Sequence, residues 1–194
     1  MPMTVRGETM DLKEMAAEAV TEIAAAIDLA LPGQINAMSE PIQRARRIAL
    51  YGVGREGLMI KTLAMRLFHL GLDAHLVGDM TTPPLATGDL LIVSAGPGHF
   101  STCRALIEVS RAAGAETLCV TAEPQGRTAQ EADHLIHLPA QTMARDSGNK
   151  VSVLPMGSLY EGVMFLFFEI LILDLQKQLG LSAQAMRANH TNLE

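Results

Sequence analysis

Apolar positions near the start of the chain follow helical spacing. Leu12, Met15, Ala16, Ala19, Ile23, Ala26, Ile27 and Ala30 line one face over residues 11–31, and Glu14, Glu18, Glu22 and Asp28 line the other. Pro32-Gly33 predicts the end of that helix, and a short second helix is expected near 34–46. The pattern then alternates. Arg47-Ile-Ala-Leu-Tyr-Gly-Val53 is an apolar run closed by glycine and reads as a buried strand. A helix over 55–70, with Leu58, Met59, Leu63, Met65 and Leu67, stops at Gly71. Strands at 74–77 and 89–94, a helix over 100–113, a strand at 117–121, a short helix near 127–132 and a strand at 134–138 follow. After a polar stretch from Thr142 to Lys150 come a long helix over 158–179 and a short one over 182–188. Short apolar strands separated by helices predict an α/β fold with a five-stranded, parallel, doubly wound sheet.

Length and composition narrow this picture. At 194 residues the chain suits one domain, residues 1–194. Within it, 1–46 form an N-terminal helical arm, 47–140 a sheet core and 151–194 C-terminal helices with a polar tail. An apolar fraction of 48% against 19% charged excludes a disordered chain. The net charge is −6 and the basic residues are scattered, with one small cluster at Arg44, Arg46 and Arg47, so neither nucleic acid nor an anionic membrane is an expected partner. The most apolar run, Val163 to Leu175, is broken by Glu169 and Asp174 and is too short to span a bilayer. Cys103 and Cys119 form no disulfide framework and no CxxC pair. A cytoplasmic protein is expected. The N-terminal helix carries more apolar face than one sandwich needs, which suits burial against another subunit.

In a doubly wound sheet, ligands sit beyond the carboxyl ends of the strands at the switch in strand order. Two glycine-rich loops leave strands there: Gly52-Val-Gly-Arg-Glu-Gly57 and Ser94-Ala-Gly-Pro-Gly-His-Phe-Ser-Thr102. Such turns present free N–H groups and the positive end of a helix dipole, which favours anions; equally, the glycines can serve tight strand-to-helix turns alone. The first loop has the G-x-G-x-x-G spacing of dinucleotide sites, but Asp73 precedes the second strand and Asp79 follows it, so a nicotinamide cofactor has little support. Ser94, Ser101 and Thr102 offer hydroxyls to a phosphate or sugar, or cap a helix. His99 sits at the start of that helix. Cys103 reads as a buried small residue, with a low-pKa nucleophile as the alternative. His134 and His137 lack a third ligand, so no metal is expected.

Beyond these loops, Lys61-Thr-Leu-Ala-Met-Arg-Leu-Phe-His-Leu-Gly71, Val77-Gly-Asp-Met-Thr-Thr-Pro-Pro84, Leu154-Pro-Met-Gly-Ser-Leu-Tyr-Glu161 and the terminal Asn189-His-Thr-Asn-Leu-Glu194 occur in that order. The chain resembles the sugar isomerase (SIS) domain family and, within it, the 6-phospho-3-hexuloisomerases, from about residue 10 to its end. The resemblance implies a flavodoxin-like three-layer sandwich and an aldose–ketose isomerase of a sugar phosphate that needs no cofactor or metal. It also implies a homotetramer, or a dimer, with shared active sites. Such enzymes shift a proton between C1 and C2 through an enediol(ate). The family glutamate falls on Glu161 and its C-terminal histidine on His190, and both are candidate catalytic residues.

The candidate substrate-binding residues are Gly52, Gly54, Arg55, Glu56, Thr82, Ser94, Gly96, Gly98, His99, Ser101 and Thr102. The loops depart from the family pattern. Glu56 stands where G-x-G-R-S-G has serine, and Ala95-Gly-Pro-Gly-His-Phe100 replaces S-G-S-G-E-T, keeping only Gly96 and Gly98. A carboxylate beside a phosphate dianion is unfavourable, so an altered substrate, including a non-phosphorylated one, and a non-catalytic sugar-phosphate-sensing module stand as alternative expectations.

Overall fold

A computed structural model of the chain describes residues 11–146 and 152–193. Five parallel strands, β1 (Ile48–Gly52), β2 (Ala74–Leu76), β3 (Leu90–Ser94), β4 (Glu116–Thr121) and β5 (His134–His137), form one sheet in the order β2-β1-β3-β4-β5. The order reverses between β1 and β3, where Ile48 pairs with Leu90 and Gly52 with Ser94. The carboxyl ends of these two strands therefore lie side by side, and both glycine loops leave from there. The expected fold class is the observed one.

Among the described residues six α-helices flank the sheet, α1 (Leu12–Arg44), α2 (Gly54–His69), α3 (Ser101–Ala112), α4 (Arg127–Glu131), α5 (Ser158–Gln178) and α6 (Ala183–Ala188), with a short 3-10 helix at Met143–Arg145. Alternation along each strand sorts the core into two layers. Ile48, Leu50, Leu90, Ile92, Leu118, Val120 and Ile136 face α1, α2 and α5. Ala49, Leu91, Val93 and Cys119 face α3 and α4 through Cys103, Ile107 and Ala129. The result is a three-layer sandwich.

The N-terminal arm departs from the expected helix pair. Helix α1 runs on through Pro32-Gly33 to Arg44, with Gly33 at φ +83° inside it. The irregularity is confined to the Gly33 backbone, and the helix continues on both sides of it. Ala26, Ile27 and Ala30 before it, and Met38 and Ile42 after it, enter the same core. Tertiary burial thus carries the helix past its local stop signal. The capping box at its start is formed by Asp11 and Glu14.

Each arginine of the small basic cluster has a carboxylate: Arg44 with Glu116, Arg46 with the buried Asp89, Arg47 with Asp73. Asp73 lies just before β2, at the end of the sheet away from the glycine loops, and is held by Arg47 and His75. It is therefore placed too far round the sheet to take a ribose hydroxyl at Gly52–Gly57, which removes the geometry a dinucleotide fingerprint requires. No described helix is long and apolar enough to cross a membrane.

Candidate active site

Helix α2 begins against β1 because two glycines let the backbones touch. A Cβ on Gly57 would lie 2.5 Å from the Gly52 carbonyl oxygen. Gly54 starts the helix at φ +57°, a conformation that costs a side-chain-bearing residue free energy. This sharp turn places Arg55 and Glu56 in the first turn of α2, over the carboxyl end of the sheet. From the other side, α5 brings Tyr160 and Glu161 in its own first turn. Glu22 of α1 holds the approach to α5: its carboxylate accepts from the Val153 N–H at 2.8 Å and from the Ser152 hydroxyl.

Between these elements lies a cavity of about 350 Å³, lined by Arg55, Glu56, Phe100, Thr142, Met156 and Glu161 among others. Arg55 is ion-paired through Nε with Glu161, whose side chain is only 12% exposed. A negative charge in the first turn of a helix is stabilised by the helix dipole. Glu161 is thus a fixed, mostly desolvated carboxylate facing open space, a suitable position for a general base.

Glu56 is a second carboxylate in the same cavity, and it is buried. Its Oε2 accepts from the Ser94 hydroxyl at 2.5 Å and from the Gly96 N–H at 2.9 Å. Burial raises the Glu56 pKa above its ordinary value; the Ser94 and Gly96 hydrogen bonds oppose that, and the charge of Glu161 adds to it. Gly96 has no room for a side chain, since a Cβ would meet the Tyr160 ring at 2.6 Å and Glu56 Oε1 at 2.8 Å. The Tyr160 hydroxyl is fully buried, 3.5 Å from Ser94 Oγ. Burial, with the Glu56 charge, holds the Tyr160 phenol well above its ordinary pKa, so it stays protonated.

Several expected site residues are placed elsewhere. Thr82 donates its hydroxyl to the Leu76 and Asp79 carbonyls and lines a separate small pocket with Lys61 and His75, so it turns away from the cleft. Gly98 packs against the Gly126 turn, where a Cβ would meet Gly126 Cα at 2.8 Å. His99 is exposed, with Nδ1 3.1 Å from Thr128 Oγ1, and neither it nor Ser101 or Thr102 lines the cavity. Neither hydroxyl caps α3, whose N-cap is Phe100. Cys103 is buried with its thiol pushed up to about 12, by burial first and the Glu56 charge second, which removes the nucleophile alternative.

The largest departure concerns His190. Its ring packs 5.1 Å from that of His69, at the carboxyl end of α2. Asn189 secures the arrangement by donating to the His69 carbonyl at 3.0 Å. Arg55 and the Glu161 cleft are at the amino end of the same helix, roughly 20 Å away at 1.5 Å rise per residue. One chain therefore does not bring Glu161 and His190 together.

Two lining residues escaped the sequence reading. Thr142 is almost fully buried, and its hydroxyl has no hydrogen-bond partner among the described residues. Met156 lines the cavity at φ +55°, unusual for a residue with a side chain. The segment Pro155-Met-Gly-Ser158 pointed to Met156. Thr142 sat in a polar stretch with no distinguishing pattern.

The SIS domain model matches residues 41–162. Over 185 residues the chain is 32% identical to a Bacillus subtilis protein named 3-hexulose-6-phosphate isomerase, covering 95% of this chain and all of that one. A Mycobacterium gastri protein of the same name is 35% identical over 175 residues, covering 90% of this chain and 86% of the relative. Among solved structures, one from Methanococcus jannaschii, described as inferring a function of 3-hexulose-6-phosphate isomerase, superposes with a TM-score of 0.80 at 26% identity. That match covers 92% of this chain and 98% of the other.

Proposed function

The chain belongs to the SIS domain family, and on that premise we propose that it is a sugar phosphate isomerase of the 3-hexulose 6-phosphate type. The observation that carries the reading is Glu161: a carboxylate at a helix start, paired with Arg55, on the wall of an open cavity. The relatives named above support the substrate class.

In a 3-ketose the carbonyl is at C3 and moves to C2, so the proton that shifts is the one on C2, not the C1/C2 pair of an aldose–ketose exchange. Glu161 takes the C2 proton while an acid protonates the C3 oxygen, giving an enediol. Glu161 then returns its proton to C3 as the conjugate base of that acid takes the C2 hydroxyl proton, and the carbonyl stands at C2. Arg55 holds Glu161 in place and, at the cavity rim, meets the phosphoryl end of the substrate. Thr142 supplies an unpaired hydroxyl to the sugar.

The acid is His190 of the partner subunit in a homo-oligomer with shared sites, acting in the cytoplasm. The exposed faces support association: Leu12, Val20 and Leu29 on α1 and Phe165 and Leu173 on α5 are large, apolar and open. The test is turnover of 3-hexulose 6-phosphate in deuterium oxide. The expected result is fructose 6-phosphate carrying deuterium at C3, lost in Glu161→Gln while its Tm is kept. Turnover retained in that variant would reject Glu161 as the base.

A further inference from the structure

Most hydrogen-bond donors of the segment Ser94–Phe100 are already used. The Ala95 N–H donates to the Val120 carbonyl, Gly98 to Ala95, and Phe100 to Thr128 Oγ1, while Pro97 has no N–H. The Gly96 N–H and the Ser94 hydroxyl both go to one oxygen of Glu56. That side chain is nine-tenths buried. Its other oxygen, Oε1, has no hydrogen bond among the described residues, and Glu56 lines the cavity with Glu161.

We infer that Glu56 is a resident anion of this loop, occupying the donors that an external phosphate or sulfate would otherwise take. The sugar phosphate thus presents a hydroxyl-bearing carbon to Glu56, not its phosphoryl group. The inference deepens the isomerase reading by orienting its substrate, and it rests on that reading only for the identity of the sugar.

Three observations carry it. First, the occupancy is specific: one carboxylate oxygen takes a backbone and a side-chain donor at 2.9 and 2.5 Å. Second, room at Gly96 is scarce, because even a single added Cβ there would meet the Tyr160 ring at 2.6 Å and Glu56 Oε1 at 2.8 Å. Third, a dianion here would face two carboxylates, Glu56 and Glu161, while Arg55, the one cation among the described lining residues, is itself paired with Glu161. Like charges in a poorly solvated cleft repel. What Oε1 can take instead is a donor, and sugar hydroxyls are donors.

The groups facing Glu56 are Ser94 and Gly96 from the loop, Tyr160 and Glu161 from α5, Cys103 from α3 and Cys119 from β4. The thiols and the phenol stay neutral near pH 7, so the carboxylates set the charge. As pH falls and Glu56 gains its proton, repulsion declines and an external dianion binds better.

Sulfate tests this, because it remains a dianion from pH 5 to 8 while phosphate does not. Calorimetric titration of the full chain with sulfate at pH 7.5 is expected to give at least tenfold tighter binding in Glu56→Ser than in the wild type. Wild-type affinity rises toward pH 5, and the variant's changes less. Glu56→Gln keeps the shape and the hydrogen bonds without the charge, and is expected to gain severalfold if the serine variant does not fold. Equal sulfate affinity in wild type and a folded variant at pH 7.5 would overturn the inference. Sulfate binding needs no turnover, so loss of the isomerase reading and loss of this inference register in different measurements.

Discussion

The two ends of helix α2 lie beside the two residues expected to share the chemistry, Glu161 of α5 and His190 of the tail, and they are built differently. At the amino end, Arg55 and Glu56 converge with Glu161 on a cavity, among donors and a buried phenol. At the carboxyl end, His190 stacks on His69 with Asn189 tying the tail down, about one helix length from the cavity. The carboxylates at the amino end match the dipole of the helices that start there. The contrast teaches that one chain gathers Arg55, Glu56 and Glu161 at one cavity and leaves His190 apart from them, which is why the proposed mechanism takes its acid from another copy.

That comparison can be broken most directly by complementation. Glu161→Gln and His190→Gln homo-oligomers should each lose about 10²- to 10⁴-fold in kcat, the usual range for removing a positioned acid or base. Subunits of the two variants, dissociated and reassembled together, should regain a measurable fraction of wild-type activity, because mixed sites unite an intact Glu161 with an intact His190. Activity no higher than that of the separate variants would mean that sites are not shared.

A smaller effect belongs to the amino end alone. Gly96→Ala forces a methyl group into the Tyr160 ring and Glu56, and should destabilise the fold by about 1–3 kcal/mol, read as a lower Tm. A methyl group tolerated without loss would show that Tyr160 yields easily. At the other end, Asn189→Ala removes one hydrogen bond to the His69 carbonyl and should cost about 1 kcal/mol. Its effect on kcat should exceed its effect on Tm, since it frees the segment that carries His190.

The smallest effect is one of pH. Burial raises the Glu56 pKa, so this group binds its proton more tightly folded than unfolded. Its contribution is fully present below the ordinary carboxylate pKa and is lost as pH rises through the folded value. Glu56→Gln removes that loss. Its Tm relative to wild type should therefore be higher at pH 7–8, and the two should converge below about pH 4. A constant offset at every pH would mean that Glu56 is not desolvated.

Much of the architecture was legible because periodicity reports burial directly. The five strands fell within a residue or two of where alternating runs and terminal glycines put them, and Gly52 and Gly57 marked the turn that opens α2. Pro32-Gly33 misled, because a local stop signal is worth less than the core that both halves of α1 share. The site was legible only in outline. Glu161 and Glu56 stood in recognisable motifs, but which atoms Glu56 would hold depended on how far β1 and β3 stand apart. Thr82 looked available as a polar residue in a loop, yet its hydroxyl was already used by its own turn.

By itself, the order of residues along this chain determined the layers, the strand directions and the end of the sheet where ligands belong, since those follow from short-range propensity and the spacing of apolar side chains. Only the tertiary structure decided that the Glu56 carboxylate occupies the Gly96 amide, and that Glu161 and His190 stand at opposite ends of one helix. Hydrogen-bond partners and distances between side chains remote in sequence are set by packing, and nothing local in the chain encodes them.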